Sequence, residues 1–284
     1  MVDEFISLRQ KLGLKTAHIP ALPERDVPIL LAALLSSSGR VQPVALSSGT
    51  VWIKRHDVKS GPRFAAVQRA LAGLLRMPFL RPSPVPEKGD YAARDMRRMQ
   101  RFRQNGIPTA DILYASGSAL VFSDVGRTVH KLLAALDDPK AHDDLLVFCC
   151  EELGHLHAIG LCHGRPFPRD MFTRGGRIGF IDFEEEPEAV MPLEVAQARD
   201  IWLLFMQVAS RAKLGRETHD RAYFAWAQAA PAAARQELAK LTGFLGGFLW
   251  LARLIGRVHM GRDLRQFIQA TTTLTNILNG TLNG

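Results

Sequence analysis

The spacing of apolar residues changes near Gly126. Before that point, short runs rich in β-branched and aromatic residues stand between serine and glycine turns. After it, apolar residues mostly recur every three or four positions, which is the period of a helix with one buried face. The strands that we predict cover residues 41–46, 51–55, 112–115 and 118–122. The chain is therefore predicted to be α+β, with a β-rich first part and a helical second part.

Most of the predicted helices follow Gly126. The helices cover residues 5–12, 27–35, 91–104, 129–136, 142–160, 196–212, 221–230, 232–241 and 245–259. This order suggests two lobes. We expect a helical N-terminal extension over residues 1–40, a small β-rich lobe over 41–125 and a larger helical lobe over 126–284. Residues 271–280 are rich in threonine and asparagine and give no pattern that we can interpret.

Two acidic residues near the middle of the chain stand where a fold brings side chains together. Asp170 closes a polar loop, Asp182 follows a short apolar run, and the glycine turn at 173–177 makes the chain between them a hairpin. A carboxylate at the end of a buried strand needs a cation, because an unpaired buried charge is costly. The cation is either a divalent metal on a polyphosphate or a neighbouring arginine, Arg169 or Arg177.

Other polar residues of the first part carry weak signals when each is taken alone. Lys54 ends an apolar run, and a lone lysine at such a place is interpreted as a solvated strand end. Asp95 stands beside the apolar face of its predicted helix, and its default interpretation is a surface acid. The pair Ser48 and Gly49 is a very weak phosphate-loop signal, because one glycine suits any turn.

The chain is basic, with a formal net charge of +8. That balance favours an anionic partner, such as a nucleotide, a nucleic acid or a lipid surface, and the alternative is a basic surface with no specific partner. Residues 61–82 mix arginines with apolar side chains, which fits either a helix lying on anionic lipid or a solvated face. Nucleic acid is the one of these partners that we do not expect.

The same features bear on the compartment. Three cysteines without a CxxC pair favour a reducing compartment. The first residues carry acids and no apolar segment of signal-peptide length. The longest apolar stretch, residues 241–256, is short and contains Arg253. We expect a cytoplasmic protein, with peripheral association at the inner face of the membrane as a further expectation.

Two common kinds of site are not favoured. Cysteines and histidines crowd into residues 149–163, but His155 and His157 face apart on a helix, so we do not expect structural zinc. The chain also contains the residue types of a hydrolase triad: Ser123, His163 and Asp182. No G-x-S-x-G turn accompanies them, and we do not expect a hydrolase.

Residues 156–164, LHAIGLCHG, resemble the segment that leads into the catalytic loop of atypical protein-kinase-like enzymes. The similarity is to the lipopolysaccharide (Kdo and heptose) kinases and to the small RIO and KEOPS-complex kinases. In those families an LHxxGxxHGD segment leads to a loop aspartate, then an asparagine, then a strand that ends in a metal-binding aspartate. Residues 178–183 are similar to that strand, and Asp182 takes the place of its aspartate. The resemblance covers roughly residues 44–205.

The resemblance also implies roles for residues near the start of the sheet. Lys54 is similar to the lysine that contacts the α- and β-phosphates of ATP, and Asp95 falls where the acidic partner of that lysine is expected. The glycine-rich phosphate loop is poorly matched, with only Ser48 and Gly49 in its place.

Three further positions follow from the same resemblance. The backbone of Ser123 and Val125 would meet adenine, because residues 120–126 resemble the hinge. Asp200 is similar to the aspartate that holds the catalytic loop from behind. His163 is expected to support the loop backbone rather than to exchange protons.

Two residues depart from the family's pattern. Arg165 stands where the family has the loop aspartate, and Asp170 where it has the metal-binding asparagine. Arginine stays charged at any working pH and cannot accept a proton from a hydroxyl. One hypothesis is an active enzyme in which Asp170 binds metal or orients the acceptor hydroxyl while Arg165 contacts the γ-phosphate or an anionic substrate. The other is a pseudokinase that binds nucleotide or a protein partner without catalysis.

The resemblance thus implies a bilobal protein-kinase-like fold that binds ATP and Mg²⁺, the metal being held by Asp170 and Asp182. The implied reaction is transfer of the γ-phosphate to a hydroxyl. The acceptor would be an envelope lipid or saccharide, with a protein or small-molecule hydroxyl as the alternative.

Overall fold

The structure is a computed structural model, and it has a small antiparallel sheet and a mostly helical remainder. The residues that it describes are 22–36, 39–55, 79, 81, 83–84, 90–116 and 119–282. The predicted α+β class is confirmed. The predicted helix at 5–12 and most of the basic segment 61–82 lie outside the described residues.

The described chain divides into two compact units. The first unit contains residues 22–36, 39–55, 90–116, 119–126 and 181–184, and the second contains the others. The short segment Ile181–Glu184 therefore belongs to the first unit, although the residues on either side of it belong to the second.

The predicted strands are confirmed. They are β1 (Val41–Leu46), β2 (Gly49–Arg55), β3 (Ile112–Ala115) and β4 (Ala119–Ser123). They form one antiparallel sheet in the order β1-β2-β4-β3. The second unit adds the hairpin of β5 (Met171–Arg174) and β6 (Arg177–Phe180). Its turn residues Gly175 and Gly176 have φ of 56° and 73°, which suit the tight turn of a two-residue hairpin.

The helices follow the predicted order. They are α1 (Val27–Leu35), α2 (Asp90–Gln104), α3 (Val129–Ala135), α4 (Pro139–Ala158), α5 (Leu193–Arg211), α6 (Arg216–Ala229), α7 (Ala232–Gly247), α8 (Leu249–Val258) and α9 (Arg262–Leu282). No helix among these is by itself long and apolar enough to cross a membrane, although α7 and α8, bent by 48°, meet that test of length and composition as a pair.

One prediction about the last part of the chain is wrong. We expected a break near residues 242–244, but α7 continues through them because buried Leu241 and Leu245 extend its apolar face. The hydroxyl of buried Thr242 is satisfied by donating to the Leu238 carbonyl. The uninterpreted tail is helical, and buried Ala270 recurs with other apolar residues every three or four positions along α9.

In the first unit, α1 packs on one face of the sheet. Its Leu30 joins a buried cluster with Ile53 of β2 and Val121 of β4. The β1–β2 turn is tied to the start of α1, because the Ser47 N–H and hydroxyl donate to the two oxygens of buried Asp26 at 2.9 and 2.8 Å. The backbone hydrogen bond from Ser47 lowers the pKa of Asp26.

In the second unit, Asp143 of α4 fixes the connection between α5 and α6. The buried carboxylate accepts hydrogen bonds from the N–H groups of Lys213 and Leu214 and from the Thr218 hydroxyl, at 3.0, 2.7 and 2.6 Å. Burial acts to raise the pKa of Asp143, but these donors and His142 lower it to about 2.

We expect Asp143→Ala to lower the free energy of unfolding by about 1–3 kcal/mol, because it leaves buried donors without an acceptor. Asp144→Asn, in a carboxylate that pairs with Lys140 and Arg221 at the surface, serves as the neighbouring control and should cost much less. Urea unfolding followed by circular dichroism measures both. Equal losses in the two variants would contradict the assignment.

The contribution of Asp143 should also depend on pH. Its folded-state pKa is depressed, so its stabilisation is present above its unfolded pKa of about 4 and is lost as the pH falls toward 2. The difference in unfolding free energy between the natural protein and Asp143→Asn should therefore shrink between pH 5 and pH 2. A difference that stays constant would show that ionisation of Asp143 does not stabilise the fold.

Candidate functional site

The side chain of Lys54 lies at the centre of a buried charge cluster in the first unit. Lys54 is only 7% exposed, although its strand-end position suggested a solvated lysine. Its ammonium nitrogen is 2.8 Å from an oxygen of each of three carboxylates, which belong to Asp95, Asp182 and Glu184. Three N–H donors thus meet three acceptors, one from α2 and two from the segment after β6.

Burial and the charge of Lys54 act in opposite directions on the pKa values of Asp95 and Glu184. Asp95 is 2% exposed, and burial raises its pKa despite the opposing effect of Lys54. Glu184 is less buried, and Lys54 and Arg40 outweigh burial and lower its pKa. Burial acts to lower the pKa of Lys54, but Asp95, Asp182 and Glu184 raise it above its ordinary value. The lysine is therefore a permanent cation.

The interpretation of Asp95 as a surface acid is wrong. Asp95 lies four residues before Met99 and seven before Phe102, which places all three on one buried face of α2. The structure therefore brings together Lys54 and Asp95, the pair that the resemblance implied, through a bond of 2.8 Å.

The backbone at Asp182 is unusual. Its φ is 66°, and it is the one non-glycine residue with positive φ in the described part of the chain. Such a conformation costs free energy and persists only where neighbouring contacts hold it. Those contacts are the bond to Lys54 and the packing of the adjacent Phe183 ring on Phe102, 4.7 Å between centroids.

Glu184 and Arg40 were missed by the sequence analysis. Glu184 forms ion pairs with both Lys54 and Arg40. The available signal was weak: Glu184 is the first of three glutamates after Asp182 and Phe183, and such a run is usually solvated. Nothing local indicates that only the first of them would join a buried cluster.

The two residues expected to contact adenine differ in their backbone bonding. The N–H of Ser123 already donates to the Asp111 carbonyl at 2.8 Å, so only its carbonyl is suited to the expected contact. The Ser123 hydroxyl interacts with Asp111 as well. Val125 follows β4 in extended chain and donates no backbone hydrogen bond to another described residue.

Ser48 lies in the β1–β2 turn, and Gly49 is the first residue of β2. Gly49 has φ of 126°, and no atom lies within 4 Å of where a Cβ would stand. The bonds from Ser47 to Asp26 hold the first half of this turn. A hairpin turn explains both residues, and the phosphate-loop role stays a prediction.

In the second unit, Asp200 of α5 holds the polar loop by its backbone. The fully buried carboxylate accepts hydrogen bonds from the N–H groups of His163 and Gly164 at 2.5 and 2.8 Å. Arg199 donates to the Gly164 carbonyl at 3.0 Å. Gly164 has φ of 99°, and a Cβ there would lie 2.6 Å from Glu185, so only glycine fits.

A buried histidine supports Asp200 from the other side. Trp226 Nε1 donates to His157 Nδ1 at 3.0 Å, and His157 Nε2 is 3.7 Å from the Asp200 carboxylate. Because indole is only a donor, Nδ1 is the acceptor and Nε2 carries the proton. Burial lowers the pKa of His157, which keeps the ring neutral in this role.

The loop itself presents Arg165 and Asp170. Arg165 is half-buried, and its N–H lies 3.4 Å from His163 Nδ1. Asp170 is buried, with Arg169 Nε 3.5 Å from its carboxylate. The neighbouring arginine expected as one alternative is therefore present beside Asp170. The other candidate, Arg177, pairs with Glu152 at 2.6 Å.

The ring of His163 packs against Phe180 of β6, with centroids 5.2 Å apart. The imidazole is buried, and its backbone rather than its ring is bound by Asp200. This geometry agrees with a role in supporting the loop.

Cationic side chains gather beside the same loop. Gln207 of α5 contacts Gln266 of α9 at 3.4 Å. Arg211 lies one turn after Gln207, and Arg262 lies one turn before Gln266. Burial and the charges of these two arginines and Arg169 lower the pKa of His130 in α3.

We asked whether these residues suit Mg²⁺ and a nucleotide. No group of three or more His, Cys, Asp or Glu side chains in the described residues is arranged to hold a metal ion. Mg²⁺ bound with a nucleotide takes one or two carboxylates and otherwise phosphate and water oxygens. Asp182 and Asp170 are donors of that chemical kind, so the residues present are compatible with the group.

Cys149 and Cys150 belong to the core, whereas His155 is exposed on α4. Cys149 and Cys150 are fully buried, and burial raises the pKa of the Cys149 thiol to about 12. His155 contacts Glu152 at 3.1 Å. The two thiols are thus enclosed by the core, and the imidazole of His155 is in contact with an acid.

Comparison with known proteins gives little beyond the geometry. No family model matches the chain. A protein of Haemophilus influenzae, described as an uncharacterized protein, is 29% identical over 102 residues. The match covers 36% of this chain and 41% of that protein, so the chain spans less than half the length of this relative.

We expect Lys54→Met to lower the free energy of unfolding by about 3–5 kcal/mol, because it leaves the buried Asp95 charge without its partner. Adding Asp95→Asn should recover a large part of that loss. Urea unfolding of the single and double variants measures both effects. Lys131→Met, at an exposed lysine, is the matched control and should change little. A double variant no more stable than Lys54→Met would contradict the pairing.

Proposed function

We propose that the chain is an ATP-dependent phosphotransferase that moves the γ-phosphate to a hydroxyl group. The observation that carries this proposal is the buried Lys54 ammonium bonded to Asp95 and to Asp182. A lysine held rigidly by an acid is suited to contact phosphate oxygens, since its charge is fixed and its position defined. Asp182 is suited to hold nucleotide-bound Mg²⁺, because carboxylate oxygens are ligands that this ion takes.

The second unit contributes the loop chemistry to this proposal. Asp170 is the second carboxylate that the resemblance assigns to the metal, and Asp200 fixes the backbone that carries it. Arg165 supplies a positive charge on the same loop. Phosphoryl transfer depends mainly on positioning and charge stabilisation, so the absence of the usual loop aspartate is compatible with activity.

A proposal for the fold family follows from the same residues. We propose that the two units correspond to the two lobes of an atypical protein-kinase-like fold, related to the lipopolysaccharide, RIO and KEOPS-complex kinases. The small antiparallel sheet that carries Lys54 and the helical unit that carries Asp200 support it. A cytoplasmic location at the inner face of a membrane belongs to this proposal.

The proposed acceptor carries negative charge. Arg169 adjoins Asp170, and Arg211 and Arg262 add positive charge on neighbouring helices. Such a group of like charges favours an anionic ligand. An anionic lipid or saccharide of the cell envelope fits this requirement, and a protein hydroxyl near acidic residues is the alternative.

The competing proposal is a pseudokinase that binds nucleotide or a partner protein without catalysis. Arg165 favours it, because no arginine accepts a proton from a hydroxyl. The two proposals share nucleotide binding and differ only in turnover.

Nucleotide binding is tested by thermal unfolding with ATP and Mg²⁺. At about a hundred times Kd, the melting temperature should rise by about 5 °C or more. Asp182→Asn should weaken binding at least tenfold and reduce the shift, because the metal loses a charged ligand. Asp220→Asn, the same change on the surface of α6, should retain the full shift. The absence of any shift with ATP or ADP would reject both proposals.

Catalysis is tested by release of ADP in the presence of candidate anionic acceptors. If Asp170 orients or deprotonates the hydroxyl, Asp170→Asn should lower turnover by about 10²–10⁴ while ATP still binds. If Asp170 only holds metal, the asparagine should retain most of the turnover, as in the family pattern. ATP binding without turnover in the natural protein, over all acceptors tested, would favour the pseudokinase.

A further inference from the structure

Helix α8 presents a stripe of large apolar side chains to solvent. Trp250, Leu254 and Val258 are four residues apart and are 67%, 49% and 91% exposed. Leu251 and Ile255 lie beside them and are 38% and 51% exposed. At about 100° per residue these five positions form one continuous face of the helix. Single exposed apolar residues are ordinary, but a contiguous patch marks an interaction surface.

The opposite face of α8 is already packed. Leu249 and Ala252 are buried on that face. Arg253, at the edge between that face and the stripe, donates to Thr272 of α9 at 3.4 Å. The orientation of the helix is therefore fixed by its contacts within the second unit. The stripe cannot be a core face awaiting a small rotation, because rotation would expose the residues that are packed.

Charge around the stripe has one sign. No acidic residue occurs between Glu237 and Asp263, whereas Lys240, Arg253 and Arg257 lie in that interval. Arg253 and Arg257 are exposed and adjoin the stripe on the same side of the helix. Apolar side chains bordered by arginine and including an exposed tryptophan are typical of a helix that lies in a membrane interface.

We propose that α8 docks the protein on an anionic lipid bilayer, with the helix parallel to the membrane plane and the stripe inserted among the acyl chains. The two arginines would contact lipid phosphates, which complements their charge. This surface is distinct from residues 61–82, on which the expectation of a membrane partner was based. The inference goes beyond the proposed activity and does not depend on it.

Two other occupants fit less well. A second copy of this chain, paired through the stripe about a two-fold axis, would bring the arginine-rich edges of two identical helices together. A membrane span formed by α7 and α8 would require α7 to leave the core, where its Leu238 and Leu241 are buried.

The test is retention of the full chain on vesicles of phosphatidylglycerol and phosphatidylcholine, compared with phosphatidylcholine alone. The natural protein should bind the anionic vesicles at low salt and should be released by high salt. The double variant Leu254→Asp with Ile255→Asp should lower the partition coefficient at least tenfold. Arg253→Gln with Arg257→Gln should lower it about tenfold at low salt and little at high salt.

A matched control separates docking from general stickiness. Phe224→Asp changes an equally exposed apolar residue, 53% exposed on α6, and should leave vesicle binding unchanged. Trp250→Phe should retain binding but abolish most of the blue shift of tryptophan fluorescence on adding vesicles. Thermal unfolding of each variant should match the natural protein, because the changed side chains are exposed.

The outcomes distinguish the occupants. Equal binding of neutral vesicles, or equal loss in Phe224→Asp, would overturn the proposal. A dimer in solution that the aspartates dissociate, without vesicle retention, would assign the stripe to a second copy. If only detergent released the protein from vesicles, α7 and α8 would be assigned to a membrane span. Asp182→Asn, the variant that tests nucleotide binding, should bind vesicles as the natural protein does, so failure of the proposed activity would leave this inference standing.

Discussion

The first unit depends on one buried cation. Burying an ammonium group is costly unless several acceptors surround it, and Lys54 has three. The acceptors come from α2 and from the chain after β6, so the same charge that must be satisfied also joins segments remote in sequence. A hydrophobic side chain in place of Lys54 would remove the cost of burying the ammonium but would also remove the cation that the three carboxylates share.

The unequal state of those acids gives the cluster its chemical character. One ammonium faces both Asp95, whose pKa is raised, and Glu184, whose pKa is lowered. The difference reflects burial, because Asp95 is enclosed and Glu184 is partly solvated. Asp95 is thus suited to hold the lysine in place. Asp182 and Glu184, nearer to solvent, are suited to exchange their contacts with the lysine for others.

The second unit uses buried carboxylates differently. Asp200 and Asp143 are both fully buried. The carboxylate of each accepts hydrogen bonds mainly from backbone N–H groups rather than from a basic side chain. A carboxylate that accepts several backbone hydrogen bonds fixes the path of a loop. Asp143 does so for a connection between helices, where the role is stability. Asp200 does so for the loop that carries Arg165 and Asp170, where the same hydrogen bonding positions side chains of the proposed site.

Local patterns predicted most of the fold, but long-range contacts determined the site. The strands and most helices follow apolar periodicity, although α6 begins five residues before its predicted start and α7 ends six residues after its predicted end. Asp95 was detectable, because its spacing from Met99 and Phe102 puts it on the buried face of α2. Glu184 was not, since its environment is made by Lys54 and Arg40, distant in sequence. The tail helix was missed because threonine and asparagine obscured a helical apolar spacing.

The two units cannot be produced separately by cutting the chain at one point, because the first unit includes a segment that lies within the second in sequence. Residues 181–184 belong to the first unit but are encoded within the second. A fragment ending at Gly126 would contain the whole four-stranded sheet but would lack Asp182 and Glu184, leaving Lys54 with one of its three acids. A fragment beginning at Arg127 would carry those acids without their lysine. The charge cluster therefore forms only after the chain has passed β6, so the first unit is completed in the middle of the synthesis of the second.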